Sequence, residues 1–263
     1  MNHLPGTDAF NDHVERIRAR HYMEMNRQLA AAGVPGKFLA IELGDALVVS
    51  QAENLRLMCL RAQDAPRLEE YEALAAGHDL TPLIDLLPLR ANEPVLETLQ
   101  ARGYGMYRWH AMLWGDATEL APAETPNVEP VTEANLAEFI ETFMRGYGIP
   151  PAELDAERPT VNARFAAGDW RLYLARIAGQ PAAAGALAYV GGHARLANGC
   201  TLPEFRGRGL QTQLLHARLR QAAADGHRLV VSDAQMDSSS MRNMLRVGMR
   251  MACQMTGWKR IAP

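Results

Sequence analysis

One segment constrains this chain more than any other: Thr201-Leu202-Pro203-Glu204-Phe205-Arg206-Gly207-Arg208-Gly209-Leu210-Gln211-Thr212. An apolar, strand-like run from Ala194 to Thr201 enters a turn that carries two glycines. A helix-like run, Leu210 to Ala224, leaves it. The first N–H groups of a helix have no internal acceptor, and the helix dipole adds partial positive charge at that end. Gly207 and Gly209 let the backbone approach a ligand with no Cβ in the way. The pattern therefore predicts a cradle for a phosphate or pyrophosphate.

Three kinds of site use that physics. A P-loop needs Gly-x-x-x-x-Gly-Lys-Ser/Thr, and the only lysines here are Lys37 and Lys259, far from the turn. A dinucleotide fingerprint needs a third glycine where Thr212 stands, and a parallel βαβ setting. The preceding strands read as antiparallel hairpins instead. The third kind fits: Arg206-Gly207-Arg208-Gly209-Leu210-Gln211 resembles the Arg/Gln-x-x-Gly-x-Gly/Ala pyrophosphate signature of the GNAT superfamily, the acyl-CoA-dependent N-acyltransferases. Gln211 departs from it, since a small residue is usual there, and it would crowd a pyrophosphate unless its side chain points away.

The resemblance extends over about Val128 to Lys259. Pro130 to Leu136 reads as a first strand ending at a helix N-cap, with Thr132 as the capping side chain. Helical text reaches Gly146, Pro150 and Pro151 break it, and a second helix runs to Ala167. Three strands follow, Arg171–Ile177, Pro181–Val190 and His193–Thr201, joined by the hairpin turns Ala178-Gly179-Gln180 and Gly191-Gly192. After the signature helix come a buried strand (Arg228–Ser232), a helix within Ser238 to Met249 whose Gly248-Met249 resembles a Gly-Phe ending, and the strand Met251–Trp258.

The resemblance implies acetyl transfer from acetyl-CoA to a primary amine, without a covalent enzyme intermediate. It implies that the backbone of Gly199, Cys200 and Thr201 holds the pantetheine arm, while Arg206, Gly207, Arg208, Gly209, Leu210, Gln211 and Thr212 hold the pyrophosphate. An ammonium has no lone pair, and a lysine-like amine titrates near ~10.4, so a base or water must take its proton. The oxyanion needs N–H donors in place, and the departing thiolate calls for a proton or hydrogen-bond donor. Many family members place a tyrosine where Met244 stands, and Met244 cannot donate. Asn243, one residue away, is the candidate for the sulfur or pantetheine, with Ser239 and Ser240 as alternatives. An asparagine common earlier in that segment falls on Asp237. Asp233, at the end of a strand, is the candidate base, or equally a capping residue. Tyr147 reads as a wall of the substrate site. Cys200 reads as inert strand packing rather than a nucleophile.

Ahead of this half, Ala117 to Val128 is a Pro- and Glu-rich linker, Thr118-Glu119-Leu120-Ala121-Pro122-Ala123-Glu124-Thr125-Pro126 at its heart. Before it lies a second α/β text: a helix over Asp12–Ala32, strands Phe38–Ser50 and Asn54–Ala62, a helix Pro66–Gly77, a strand Thr81–Leu89, a helix Asn92–Gly103 and a strand Tyr104–Trp114. Asn92 to Tyr104 parallels Ser239 to Met249: helix, glycine, large apolar residue, strand. The expected fold is α/β (α+β), a GNAT-like mixed and mostly antiparallel sheet flanked by helices, with two similar domains in tandem. Residues 1–118 form a degenerate domain without the loop, or an unrelated small α/β domain; 119–127 is the linker; 128–263 is the acetyl-CoA-binding domain. The alternative function is a non-catalytic acyl-CoA-binding regulatory module.

Composition narrows the setting. A net charge of −3 argues against a general nucleic-acid surface. Cys59, Cys200 and Cys253 are odd in number and widely spaced, which predicts a reducing compartment and no disulfide framework. No Cys/His spacing predicts a metal site. No apolar run is long enough for a bilayer, and no basic-then-apolar leader begins the sequence. A soluble, cytoplasmic protein is expected, with no membrane or nucleic-acid partner and with homodimerisation left open.

Overall fold

The structure is a computed structural model that describes residues 4–87, 93–120, 123–167 and 169–261. The strand end expected at Leu89, the helix start at Asn92, and Ala121-Pro122 of the linker lie outside the described residues. The chain divides into two compact units. The first comprises Met1–Met112, Asp233–Met236 and Met251–Pro263; the second comprises Leu113–Ser232 and Asp237–Arg250.

In the first unit, α1 (Asp8–Ala31) is capped by Thr7, whose hydroxyl accepts the Phe10 N–H at 3.2 Å. The expected strand Phe38–Ser50 is two strands. β1 (Ala40–Leu43) turns back at Gly44-Asp45 into β2 (Ala46–Gln51), with Leu43 opposite Ala46. Gly44, at φ +66°, is the turn signal inside that apolar run. β3 (Asn54–Met58) pairs antiparallel with β2 and stops short of the expected Ala62, because Cys59 takes φ +59°. A 3-10 turn and α2 (Leu68–Gly77) cross over to β4 (Thr81–Leu86), which lies parallel to β3. The Tyr71 hydroxyl, fully buried on α2, accepts the Leu83 N–H and sits within hydrogen-bond reach of the Leu55 and Leu83 carbonyls, bolting the helix to both strands. α3 (Glu93–Ala101) and β5 (Tyr104–Asp116) follow, the latter continuing into the second unit. The closing strand β11 (Arg250–Arg260), grouped with the second half by its sequence position, pairs antiparallel with β4, Thr256 opposite Leu86.

The second unit is built on the antiparallel run β6 (Val128–Pro130), β7 (Trp170–Ile177), β8 (Gln180–Val190) and β9 (His193–Thr201). β10 (Leu229–Gln235) joins β9 in parallel, with Val230 opposite Ala194 and Val231 opposite Arg195. Small residues fill both faces of β8. Ala184 and Ala186 pack with Phe139 and Phe143 of α4 (Leu136–Gly146) and Val161 and Phe165 of α5 (Leu154–Ala167). Ala183 packs with Leu210 and Leu214 of α6 (Leu210–Ala224). A strand covered on both faces reads as a continuous apolar run, and Ala182-Ala183-Ala184-Gly185-Ala186 is such a run. Asn135, not Thr132, is the N-cap of α4; the Asn135 side-chain oxygen Oδ1 accepts the Thr132 N–H at 2.7 Å and folds the preceding turn. α7 (Ser239–Arg246) is capped by Ser238, which accepts the Met241 N–H.

Candidate active site

α6 begins where the sequence places it, and its N-cap is Gly209 in the left-handed region at φ +74°; Gly207 is at φ +77°. Those two angles are why glycine stands at both positions, since a Cβ there would strain the backbone without striking any neighbour within 4 Å. Gln213 is bonded to the Gly209 carbonyl, which leaves the amides of Leu210, Gln211 and Thr212 with no acceptor within the helix. They open on a cavity of about 710 Å³.

The cavity wall brings together every residue assigned to the ligand loop: Gly199, Cys200 and Thr201 from the end of β9, and Arg206 through Thr212 from the turn. Ser239, Ser240 and Asn243 of α7 close another side, and Tyr147 stands at the end of α4. The Tyr147 ring packs on Phe143 at 4.8 Å between centroids while half its surface stays open. Asp233 is not in the wall. Its carboxylate is 3.5 Å from Arg18 Nε and 3.6 Å from His110 Nδ1, within the first unit. Met244 is buried and is not in the wall either. Cys200 is buried, and burial pushes its thiol up to about 12, so it is un-ionised at neutral pH and inert as a nucleophile.

Gln211 turns its amide toward α7. Its Nε2 donates to Ser240 Oγ at 3.0 Å, and its Oε1 accepts from Asn243 Nδ2 at 2.6 Å. Arg246 Nη1 in turn donates to Asn243 Oδ1 at 2.7 Å. Arg246 was missed from sequence, yet Ser240, Asn243 and Arg246 recur every third residue, the spacing of one helix face.

Arg218 was also missed. Its guanidinium is buried beneath β8 and β9 and donates to the Leu214, Ala186 and Ala197 carbonyls. Two glycines make room: a Cβ on Gly185 would come within 3.1 Å of Arg218 Cζ, and one on Gly199 within 3.5 Å of Nη2. Burial presses its pKa down to about 10, so it remains charged at neutral pH, under the Gly199 edge of the cavity. Among the described residues it has no carboxylate partner, and it contributes positive potential to that floor.

Among the described residues, no group of His, Cys, Asp and Glu is arranged to hold a metal, and no helix is long and apolar enough to cross a membrane.

The family model described as an acetyltransferase (GNAT) domain matches residues 106–231. No curated protein matches the chain. Among solved structures, a GCN5-related N-acetyltransferase from Kribbella flavida superposes with a TM-score of 0.66 at 18% identity, covering 94% of this chain and 96% of that one. A GCN5-related N-acetyltransferase from Sphaerobacter thermophilus gives 0.62 at 15% identity, over 98% and 95%. A tandem GNAT protein from the clavulanic acid biosynthesis pathway gives 0.59 at 14%, over 99% and 98%. Residues 106–231 therefore match a GNAT acetyltransferase domain, and the chain shares the fold of these solved structures along most of its length.

Proposed function

We propose that this protein transfers an acetyl group from acetyl-CoA directly to a primary amine. The observation that carries the reading is one concave wall that joins the free amides of α6, two left-handed glycines and the polar face of α7. The Gly207–Thr212 backbone suits a pyrophosphate, with Arg206, Arg208 and Arg246 adding positive charge at the rim. The polar backbone at Gly199–Thr201 suits a pantetheine arm. Gln211 supports the assignment, since its side chain is drawn to α7 and the amides beside it stay clear. Positioning supplies most of the catalysis in such a transfer. The amine proton passes to water or to a base outside the residues named here; Asp233, tied to Arg18 and His110, is read as part of an ion network instead.

The second unit holds this site. The first lacks an Arg-x-x-Gly-x-Gly loop, and we read it as a degenerate GNAT-like domain that binds no CoA and serves a structural role. The protein acts as a soluble, cytoplasmic enzyme on a small amine or a protein amine, with no metal, nucleic acid or membrane involved. The buried Met244 favours a second reading, a regulatory module that binds acyl-CoA without turnover, because α7 carries no tyrosine hydroxyl at that position.

The test is calorimetric titration with acetyl-CoA. Micromolar binding is expected in the wild type and none in Gly209→Trp, whose side chain would occupy the cradle. A bound ligand also raises the melting temperature. Binding followed by acetylation in an amine panel supports the enzyme; binding without turnover supports the module; absence of binding removes both.

A further inference from the structure

The hydrogen-bond chain along α7 has a fixed direction. A guanidinium only donates, so Arg246 forces Asn243 to present Oδ1 to it. That leaves Asn243 Nδ2 facing Gln211, which must answer with Oε1, and Gln211 Nε2 then donates to Ser240 Oγ. Reversing any amide would set donor against donor. With one lone pair of Ser240 taken by Gln211, its hydroxyl hydrogen is left over, and among the described residues nothing accepts it. Ser240 lines the cavity, one turn of helix from Asn243 and across from the ligand loop.

We infer that Ser240 is the hydrogen-bond donor to the leaving sulfur of the acyl donor, and that Arg246, Asn243 and Gln211 are positioning residues that hold its hydrogen toward the cavity. The inference rests on the acyl-transfer reading above. In the step it assists, the amine lone pair forms the N–C bond and the carbonyl π pair moves to oxygen. That pair then returns, the C–S bond breaks, and its electrons stay on sulfur. The nitrogen loses one proton to water, so amine and thioester become amide and thiolate, and the thiolate takes a proton back from water to leave as the thiol. A serine hydroxyl is a weaker acid than a thiol. Its proton therefore stays on oxygen, and the hydroxyl stabilises the developing thiolate by a charge-assisted hydrogen bond. The role a tyrosine would play is thus carried by another residue of α7, and the glutamine that departs from the loop signature is what orients it.

The test needs no knowledge of the amine. Binding of CoA and of desulfo-CoA is measured by calorimetry between pH 7 and 9.5, across the range in which a thiol near ~8.5 ionises. A donor aimed at sulfur favours the thiolate, so the wild-type ratio of CoA to desulfo-CoA affinity is expected to rise about tenfold, the scale of a hydrogen bond to a charged group. Ser240→Ala should flatten that rise and Ser240→Thr should keep it. Gln211→Glu, whose carboxylate only accepts, should draw the Ser240 hydrogen away and flatten the rise with Ser240 still present. Equal pH dependence in wild type and Ser240→Ala overturns the inference. A flat wild-type ratio with both ligands bound removes the serine role alone, whereas failure of both ligands to bind the wild type removes the acyl-donor reading with it.

Discussion

Asp85 is fully buried on β4, and three guanidinium groups reach it: Arg56 at 2.7 Å and Arg108 at 3.0 Å on Oδ1, Arg18 at 3.0 Å on Oδ2. Burial alone would raise its pKa; Arg18, Arg56 and Arg108 outweigh that and hold it at about 2. The folded value is below the unfolded one near ~3.9. The stabilisation is therefore complete above pH ~4 and is lost as pH falls from there through about 2. Asp85→Ala should cost about 3–5 kcal/mol in urea unfolding at pH 7, because it leaves buried cations unpaired, and its deficit should shrink as pH approaches 2. Asp233→Asn, in the same network, should lower the melting temperature and leave turnover per folded molecule unchanged. An acid inside Leu83-Ile84-Asp85-Leu86 is visible in the sequence as an anomaly. Its partners are not, because they arrive from α1, β3 and β5, and no local pattern links them. Gln211 was legible only as a departure from a signature, since the direction of a side chain depends on the helix packed opposite.

At the level of elements, α6 was readable to the residue because a glycine in the left-handed region must precede it and a periodic apolar face follows. The β1–β2 hairpin was not, because the two-residue turn Gly44-Asp45 is a short interruption in a run that is mostly apolar on both sides of it. α4 began later than expected because Asn135 competes with Thr132 for the same turn and holds it by a side-chain acceptor. The contact of α4 with β9 yields a further prediction. A Cβ on Gly146 would fall 2.4 Å from Cys200 Sγ and 2.8 Å from Cys200 Cβ. Gly146→Ala should lower stability by about 1–3 kcal/mol, the usual cost of overpacking, and Cys200→Ala in the same chain should recover part of it; thermal unfolding of the single and double variants measures both.

On the scale of the whole molecule, the ordering of elements along the chain was legible, but their allotment to compact units was not. Pairing partners of a closing strand carry no mark in composition, and the sequence places Met251–Trp258 with the second half by its position in the chain. The first unit draws on three separate stretches of chain. A fragment ending at residue 118 should therefore lack β11 and unfold without a cooperative transition in circular dichroism, whereas the full chain should show one. Thr256 donates to the Leu86 carbonyl across 170 positions of sequence. During synthesis at about 5–20 residues per second, that separation is roughly 10 to 30 s in which the nascent β4 has emerged from the ribosome while the strand that covers its edge has yet to be translated. An uncovered edge is a template for pairing with another chain, so the yield of native protein should depend on how fast the ribosome finishes and on whether a chaperone shields that edge in the interval.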